Sequence, residues 1–248
     1  MFTTLDTRSK TAYNRRVEKR KMIDVEFLKQ IPLFTDVSDA VLGALTDDFI
    51  RRQFRQDETI FQEGDPGQVL YLIKSGQVRI YVQGEDGQEM SVVLAGPGDI
   101  FGELAVIDGL PRSASAVAME DTVVYTLSRE LFREYMKSTP QFALNFMRTL
   151  SVRVRNSTHQ VESLTLHEVP ARLARKLLEL AQQYGVVEPG GVRINLTINQ
   201  SDLASLSGTT RESINKALGS FKRQGLIVMQ AQGQIVIVDP DALREISS

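Results

Sequence analysis

The chain has 248 residues, of which 42% are hydrophobic and 24% are charged, and this composition is typical of a soluble globular protein of one or two domains. It excludes disordered and collagen-like chains. The chain has no cysteine and two histidines, His159 and His167, which excludes disulfides and cysteine nucleophiles and leaves little material for imidazole catalysis. The longest apolar runs, such as 69–73, are far shorter than the ~20 residues of a membrane-spanning helix. We therefore expect neither an enzyme, nor a metal or prosthetic group, nor a contact with a membrane.

The net charge of −2 does not attract the whole molecule to a polyanion, so any contact with nucleic acid must use a local patch. The first 21 residues carry seven lysine and arginine residues against two acidic residues, and no apolar signal-peptide core follows them. Because they also lack a periodic apolar face, we interpret residues 1–23 as a basic, disordered extension. The alternatives are an arm that touches DNA or a polymerase, and a protein whose first residue is Met22.

Residues 24–137 change from a helical to a strand-like periodicity. Apolar side chains at spacings of three and four predict short helices between Phe27 and Phe49. After Phe54, short alternating runs are separated by glycine-rich turns, which is the pattern of a β-sandwich or jelly roll. The predicted strands are 59–62, 69–73, 77–82, 90–94, 113–117 and 122–127.

Residues 138–168 predict one long helix, with a hydroxyl cap at Ser138 or Thr139 and Pro140 in the first turn. A stripe along this helix has alternating spacings of four and three residues, which is a heptad seam. A helix of this length extends beyond a small barrel, so the seam favours a parallel homodimer over packing on the chain's own sheet. The seam residues are Ala143, Met147, Leu150, Val154, Ser157, Val161 and Leu164.

Residues 169–248 predict a winged helix-turn-helix. An amphipathic helix comes first, and two further helices flank the tight turn 207–209, which is helix-turn-helix spacing. Two short strands then form the wing. The predicted helices are 170–184, 197–206 and 210–223, the predicted loop is 185–191, and the wing strands 226–229 and 234–238 flank the turn 230–233. The fold class is therefore α+β, in which a jelly roll, a long dimerisation helix and a winged helix-turn-helix follow one another.

The helix 210–223 has one apolar and one polar face. Arginine donates twice to guanine and glutamate accepts from cytosine, so the polar face suits the major groove. A glutamate is electrostatically costly beside a polyanion, which favours base reading over nonspecific adhesion. The alternative is an ordinary amphipathic helix with solvated charges, in a winged helix that docks protein. The predicted base-reading residues are Arg211, Glu212, Asn215 and Lys216, and the predicted phosphate contacts are Ser201, Thr209, Thr210, Lys222 and Arg223.

Two segments within the predicted sandwich carry the most specific pattern. Residues 99–105 contain Gly102, Glu103 and Leu104, and Arg112 and Ser113 follow after a short connection. An arginine beside a short helix N-terminus suits a compact anion, and a nearby carboxylate would repel that anion unless it bound another group, such as a ribose hydroxyl. The two segments closely resemble the phosphate-binding cassette of the CRP/FNR family of transcription regulators, and the resemblance extends over about 27–238.

The resemblance implies a role for each cassette residue. Arg112 and Ser113 would bind a cyclic phosphate and Glu103 the ribose 2′-hydroxyl, with Gly102 offering its backbone and Leu104 beside it. On the long helix, three further residues match family positions near the adenine: Arg153, Ser157 and, reaching from the other protomer, Thr158. In the recognition helix, Lys216 stands where the family has an arginine, and lysine lacks the fork geometry of arginine.

The resemblance therefore implies a cytoplasmic, homodimeric regulator that binds cAMP as an allosteric ligand, a palindromic promoter and RNA polymerase. Three alternatives remain within such regulators: activity without an effector, control by cGMP, and control by a cyclic dinucleotide. A haem sensor with a histidine ligand is a weaker alternative. Outside this class, the sandwich would be a regulatory module for a partner protein, and an enzyme is disfavoured because there is no phosphate loop or nucleophile motif.

Overall fold

The computed structural model describes residues 23–84, 87–196, 198–230 and 234–247. The predicted basic extension, except Ile23, and most of the predicted wing turn lie outside the described residues. None of the described helices is long and apolar enough to cross a membrane.

The described chain begins with short helical segments. Helix α1 spans Val25–Lys29, a 3₁₀ helix spans Pro32–Phe34, and α2 spans Asp39–Asp48. Asp24 begins α1, because its carboxylate accepts the N–H of Glu26. These segments bury their apolar faces in one core with the strands and helices that follow, as the three- and four-residue spacing predicted.

Eight strands form two four-stranded antiparallel sheets, in the orders β1-β8-β3-β6 and β2-β7-β4-β5. All six predicted strands are present, and the jelly-roll expectation is confirmed. The strands are β1 Ile50–Phe54, β2 Thr59–Phe61, β3 Val69–Ser75, β4 Val78–Gln83, β5 Glu89–Ala95, β6 Ile100–Phe101, β7 Ser115–Ala118 and β8 Thr122–Ser128. Strand β1 was missed, because Arg51, Arg52 and Gln53 interrupt any apolar alternation and only pairing with β8 makes them a strand.

Three helices connect and extend the sandwich. Helix α3 spans Glu103–Asp108, α4 spans Arg129–Ser138, and α5 spans Pro140–Leu166 with 27 residues. The long helix is confirmed, whereas α4 was not predicted. Ser128 begins α4 by accepting the N–H of Leu131, and the helix packs through the buried Phe132. Near the start of α5, the buried Asn145 donates through Nδ2 to two carbonyls of the N-terminal segment, which fixes that segment on the helix.

The remaining chain is a winged helix-turn-helix with its own core. Its elements are α6 Val169–Tyr184, β9 Gly185–Glu188, β10 Gly191–Ile194, α7 Gln200–Leu206, α8 Arg211–Arg223, β11 Ile227–Met229, β12 Ile235–Ile237 and α9 Pro240–Ile246. Helix α7 begins later than the predicted residue 197, because Asn199 and Asp202 form a reciprocal cap. Helix α9 was not predicted.

The prediction of a loop at 185–191 is wrong. Residues 185–188 and 191–194 form an antiparallel hairpin, and the sheet order is β11-β12-β10-β9. Gly190 and Gly191 both have positive φ, and a Cβ at Gly191 would lie 2.0 Å from the Ile237 carbonyl oxygen. The turn and the close strand approach thus require glycine, which a sequence pattern presents only as a loop signal.

Candidate functional site

Glycine allows the turn before α3 to pack tightly on a buried arginine. Gly102 has a φ of +72°, and a Cβ at this position would lie 2.6 Å from Nη1 of Arg112. Gly67 is equally crowded, since its Cβ would lie 2.2 Å from that of Ala105. Any larger residue at these two positions would push the turn and the arginine apart.

Arg112 is buried, with 4% of its surface exposed. Its Nη1 donates to the carbonyl of Gly102 at 2.5 Å and its Nη2 to that of Val69 at 2.8 Å, while the guanidinium lies 4.3 Å above the centre of the Phe61 ring. Its Nε has no hydrogen-bond partner among the described residues. Burial lowers the pKa of Arg112, because the charged form loses hydration. A buried cation with an unused donor has the chemistry to attract an anion.

Glu103 connects this turn to the long helix. Its carboxylate, only 6% exposed, lies 2.6 Å from Nη1 of Arg153, and Arg153 also donates to the carbonyl of Ile100. Burial raises the pKa of the neighbouring Asp99, against the opposing effects of the Gly96 N–H and the Arg153 charge. The ion pair of Glu103 and Arg153 therefore joins the start of α3 to α5.

The structure brings together four of the eight predicted nucleotide residues through direct contacts: Gly102, Glu103, Arg112 and Arg153. Leu104 is 46% exposed and Ser113 is exposed at the edge of the same turn. Ser157 and Thr158 are exposed on α5, about one turn beyond Arg153, and the Thr158 hydroxyl donates to the carbonyl of Val154.

Helix α8 presents all four predicted base-reading residues to solvent, while its other face is buried. Glu212 and Lys216 form an ion pair of 2.7 Å, one helical turn apart. The hydrogen bond to Lys216 lowers the pKa of Glu212, so this carboxylate is ionised at neutral pH. Arg211 and Asn215 are exposed on the same polar face.

The predicted phosphate contacts surround this helix in three different settings. The Thr210 hydroxyl is already used as the α8 cap, because it accepts the N–H of Ser213 at 3.2 Å. Thr209 is half-buried in the turn. Ser201, Lys222 and Arg223 are exposed at the ends of α7 and α8.

Sequence reasoning missed Arg172 of α6, which holds the helix-turn-helix turn. Its guanidinium donates to the carbonyls of Ser207, Gly208 and His167, at 2.9, 3.2 and 3.0 Å. The side chain thus ties the end of the long helix to the turn between α7 and α8. An arginine on an amphipathic helix carries no sequence signal for such a role, since its three partners are backbone atoms.

The two histidines take part in ordinary polar contacts. Nδ1 of His159 lies 3.4 Å from the Glu162 carboxylate, and Nε2 of His167 lies 3.2 Å from Nη2 of Arg175. Within the described ranges, no group of three or more His, Cys, Asp or Glu side chains is arranged to hold a metal ion.

Comparison with known proteins identifies both parts of the chain. Residues 51–139 match the cyclic nucleotide-binding domain family, and residues 171–246 match the Crp-like helix-turn-helix domain family. The chain is 34% identical over 218 residues to the CRP-like cAMP-activated global transcriptional regulator of Mycobacterium tuberculosis, covering 88% of this chain and 97% of the relative. The chain belongs to the CRP/FNR family. Members of this family are DNA-binding transcription factors and not enzymes, which confirms the expectation from composition.

Two further CRP-family proteins support this assignment over most of the chain. The Cyclic AMP receptor protein of Thermus thermophilus is 34% identical over 220 residues, which cover 89% of this chain and 98% of that protein. A solved structure of a CRP-family transcriptional regulator from Thermus thermophilus superposes with a TM-score of 0.68 at 27% identity, covering 79% of this chain and 96% of the other. The protein is therefore a CRP-family, cyclic-nucleotide-binding transcription regulator.

Proposed function

We propose that this CRP-family protein is a homodimeric regulator that binds cAMP and then a palindromic promoter site. The observation that carries the nucleotide assignment is the buried Arg112, which donates to the carbonyl of Gly102, directly before Glu103, and whose Nε is unpartnered among the described residues. Its guanidinium supplies charge for a phosphate, and Glu103 supplies an acceptor for a sugar hydroxyl. The names of the relatives from Mycobacterium tuberculosis and Thermus thermophilus, a cAMP-activated regulator and a cyclic AMP receptor protein, support cAMP as the nucleotide.

Each predicted residue has one role in this proposal. Arg112 and Ser113 bind the cyclic phosphate, Glu103 accepts from the ribose 2′-hydroxyl, and the backbone of Gly102 and Leu104 lines the cassette. On α5, three residues face the adenine: Arg153, Ser157 and Thr158, the last from the second protomer. Arg112 already uses two of its five N–H donors on the backbone carbonyls of Gly102 and Val69, and its Nε, which has no partner among the described residues, is available to the phosphate.

Helix α5 supplies the dimer interface in this proposal. Its own domain buries Phe142, Asn145 and Phe146, whereas the seam residues Met147, Val154 and Val161 are 54%, 66% and 62% exposed in the single chain. Apolar residues at a and d spacing along a 27-residue helix require a partner helix with the same spacing, which a second copy provides. Ser157 lies in that seam, and its proposed role beside the adenine accounts for a polar residue at this position.

The mechanism is a population shift between two arrangements of the long helices. A nucleotide that binds better to one arrangement stabilises it, and DNA affinity and nucleotide affinity then rise together. In the DNA-competent arrangement, the two α8 helices lie about one turn of DNA apart, roughly 34 Å. We assign 24–137 to nucleotide binding, 138–168 to dimerisation and 169–248 to DNA binding. The dimer acts in the cytoplasm and contacts RNA polymerase, as the family resemblance implies.

The experiment is fluorescence anisotropy of a labelled palindromic duplex at fixed salt, with random duplex as competitor, and with cAMP, cGMP, a cyclic dinucleotide or no ligand. Specific binding that tightens with cAMP supports the proposal. If specific binding tightens with another ligand, that ligand replaces cAMP as the effector. If no ligand changes specific binding, the regulator is active without an effector. Absence of duplex binding rejects DNA reading and favours a module that docks a partner protein.

The matched variants are Arg112→Ala and Arg129→Ala. Arg112→Ala is expected to lower the affinity for cAMP at least 100-fold and so to abolish the nucleotide response, because the charge-assisted bonds to the phosphate are lost. The dimer, measured by sedimentation, is expected to remain. An unchanged cAMP titration of the Arg112 variant would overturn the nucleotide assignment. The Arg129 variant is the control, because it removes a neighbouring arginine that lies against Gly109 at the end of α3 and is not one of the predicted nucleotide residues.

A further inference from the structure

Strand β5 contacts the DNA-binding part of the chain through two buried hydroxyls. The Ser91 and Ser205 Oγ atoms lie 2.8 Å apart, although 114 positions separate them in sequence. Ser205 Oγ donates to the carbonyl of Glu89 at 3.0 Å, so the Ser91 hydroxyl is left to donate to Ser205. Ser91 is 1% and Ser205 7% exposed. We call this pair of side chains the serine contact.

The long helix takes part in the same contact. Gln160 of α5 donates through Nε2 to the carbonyl of Ser91 at 3.2 Å. Gln160 follows Ser157 by three residues, which is less than one helical turn. Strand β5, which contacts Ser205, is therefore also hydrogen-bonded to the helix that carries the proposed adenine contacts. A repacking of α5 then changes the position of the Ser91 carbonyl, to which Gln160 donates.

Two further side chains join the β5 region to the winged helix-turn-helix. Leu94 of β5 packs against the core of the winged helix-turn-helix. Tyr184, at the end of α6, stands over Gly96, where a Cβ would lie 3.3 Å from the tyrosine oxygen. Burial, and then the charge of Asp99, raise the pKa of Tyr184 to about 12, so its hydroxyl is neutral at physiological pH. Apolar contacts tolerate sliding, whereas directed hydrogen bonds between buried groups select one register.

We propose that Ser91 and Ser205 position the winged helix-turn-helix in its DNA-competent arrangement. In the arrangement that makes the serine contact, β5 meets α7 at Ser205, and Arg211, Glu212 and Lys216 of α8 remain exposed. The contact therefore orients the recognition helix without covering it. The inference rests on the proposed function, since it concerns how nucleotide binding reaches the DNA-reading helix.

The first test locks the contact covalently. The chain has no cysteine, so Ser91→Cys with Ser205→Cys introduces one defined pair of thiols at positions whose Oγ atoms are 2.8 Å apart, within reach of a disulfide after small adjustment. Oxidised glutathione closes the pair and dithiothreitol opens it. We expect an intramolecular disulfide, and the oxidised protein is expected to bind the palindromic duplex at least as tightly as the reduced protein, with a smaller enhancement by cAMP.

Three results would overturn the inference: no intramolecular disulfide, loss of specific duplex binding on oxidation, or an unchanged cAMP enhancement. Each is distinct from a failure of the proposed function. If the unmodified protein binds no duplex, DNA reading fails for every variant and the inference falls with it. If the unmodified protein binds and only the locked protein fails, the proposed function stands and the inference alone is rejected.

The second test removes single hydroxyls. Ser205→Ala is expected to weaken cAMP-dependent duplex binding by at least about fivefold, because it removes both the hydrogen bond to the Glu89 carbonyl and the one from Ser91. Ser207→Ala is the control, because Ser207 is also buried in this domain and its Oγ has no hydrogen-bond partner among the described residues. Tighter duplex binding by the Ser205 variant without cAMP, or equal effects of the two variants, would contradict the inference.

Discussion

The Arg153 guanidinium and the Glu103 carboxylate lie 2.6 Å apart and join the long helix α5 to the turn that carries Arg112. The carboxylate is 6% and the guanidinium 28% exposed, so the pair is sheltered on the side of the acid. In the proposed function, a cyclic nucleotide that engages Glu103 therefore acts on a group already connected to α5. In the proposed dimer, this pair gives the nucleotide a direct physical route to the arrangement of the two protomers.

Arg153→Gln is expected to destabilise the protein by about 1–3 kcal/mol and to weaken cAMP binding about tenfold, because Glu103 loses the countercharge that holds it. The destabilisation is smaller than for a fully buried pair, since Arg153 is partly hydrated. Denaturant unfolding and calorimetric cAMP titration measure the two effects.

Lys176→Gln is the matched control for Arg153→Gln. Lys176 is also 28% exposed, but its partner Glu179 is 49% exposed, so less than about 1 kcal/mol is expected. Similar losses for the two variants would show that burial of the Glu103 carboxylate has no special effect.

Gly102→Ala is expected to reduce cAMP affinity more than 10-fold. The added Cβ meets Nη1 of Arg112 at 2.6 Å, and the left-handed backbone costs a further ~1–2 kcal/mol of stability. Gly225→Ala is the control, because its φ of +74° imposes the same strain while its Cβ has open space. If both variants keep normal cAMP affinity, the close approach of Gly102 to Arg112 has no role in the nucleotide site.

Val154→Asp is expected to weaken the dimer at least 100-fold, because the charge would be buried in the heptad seam. Val152→Asp places the same charge two residues away on the outer side of α5. Val152 and Val154 are 56% and 66% exposed in the single chain, so the two changes have similar effects on the monomer. Sedimentation measures the dissociation constants, and equal values for both variants would reject α5 as the dimer interface.

Glu212→Ala is expected to relax the preference at one base pair in each half-site by about 1–3 kcal/mol, while binding to random duplex stays similar or tightens. Lys222→Ala is expected to weaken binding to specific and random duplex alike, because it removes a phosphate contact. Anisotropy titrations on duplexes substituted at single positions make this comparison. Equal losses of the Glu212 variant on both kinds of duplex would contradict base reading.

The periodicity of the sequence was sufficient for the large elements. Alternation between glycine-rich turns predicted six strands, and the four-three spacing predicted α5, because both patterns reflect which faces of a local segment are buried. Segments without such a pattern were missed or misassigned. Strand β1 is mostly polar, α4 lies between two stronger signals, and the hairpin β9–β10 was hidden by its glycines.

The candidate site divides in the same way. The residue types of the cassette and the polar face of α8 were evident from the sequence, since Gly102, Glu103 and Arg112 lie within eleven residues of one another. Which side chains pair was not evident. Arg172 binds three backbone carbonyls, which any residue supplies, and its role depends entirely on where the helix-turn-helix turn is placed.

The sequence by itself determined the order of the parts, the family resemblance and the chemistry available to each part, because these depend on residue type and on spacing over a few turns. Only the tertiary structure decided that Arg153 meets Glu103 and that Ser91 meets Ser205. Those partners are 50 and 114 positions apart. Their contact results from the packing of whole elements against one another, and local sequence patterns carry no information on that packing.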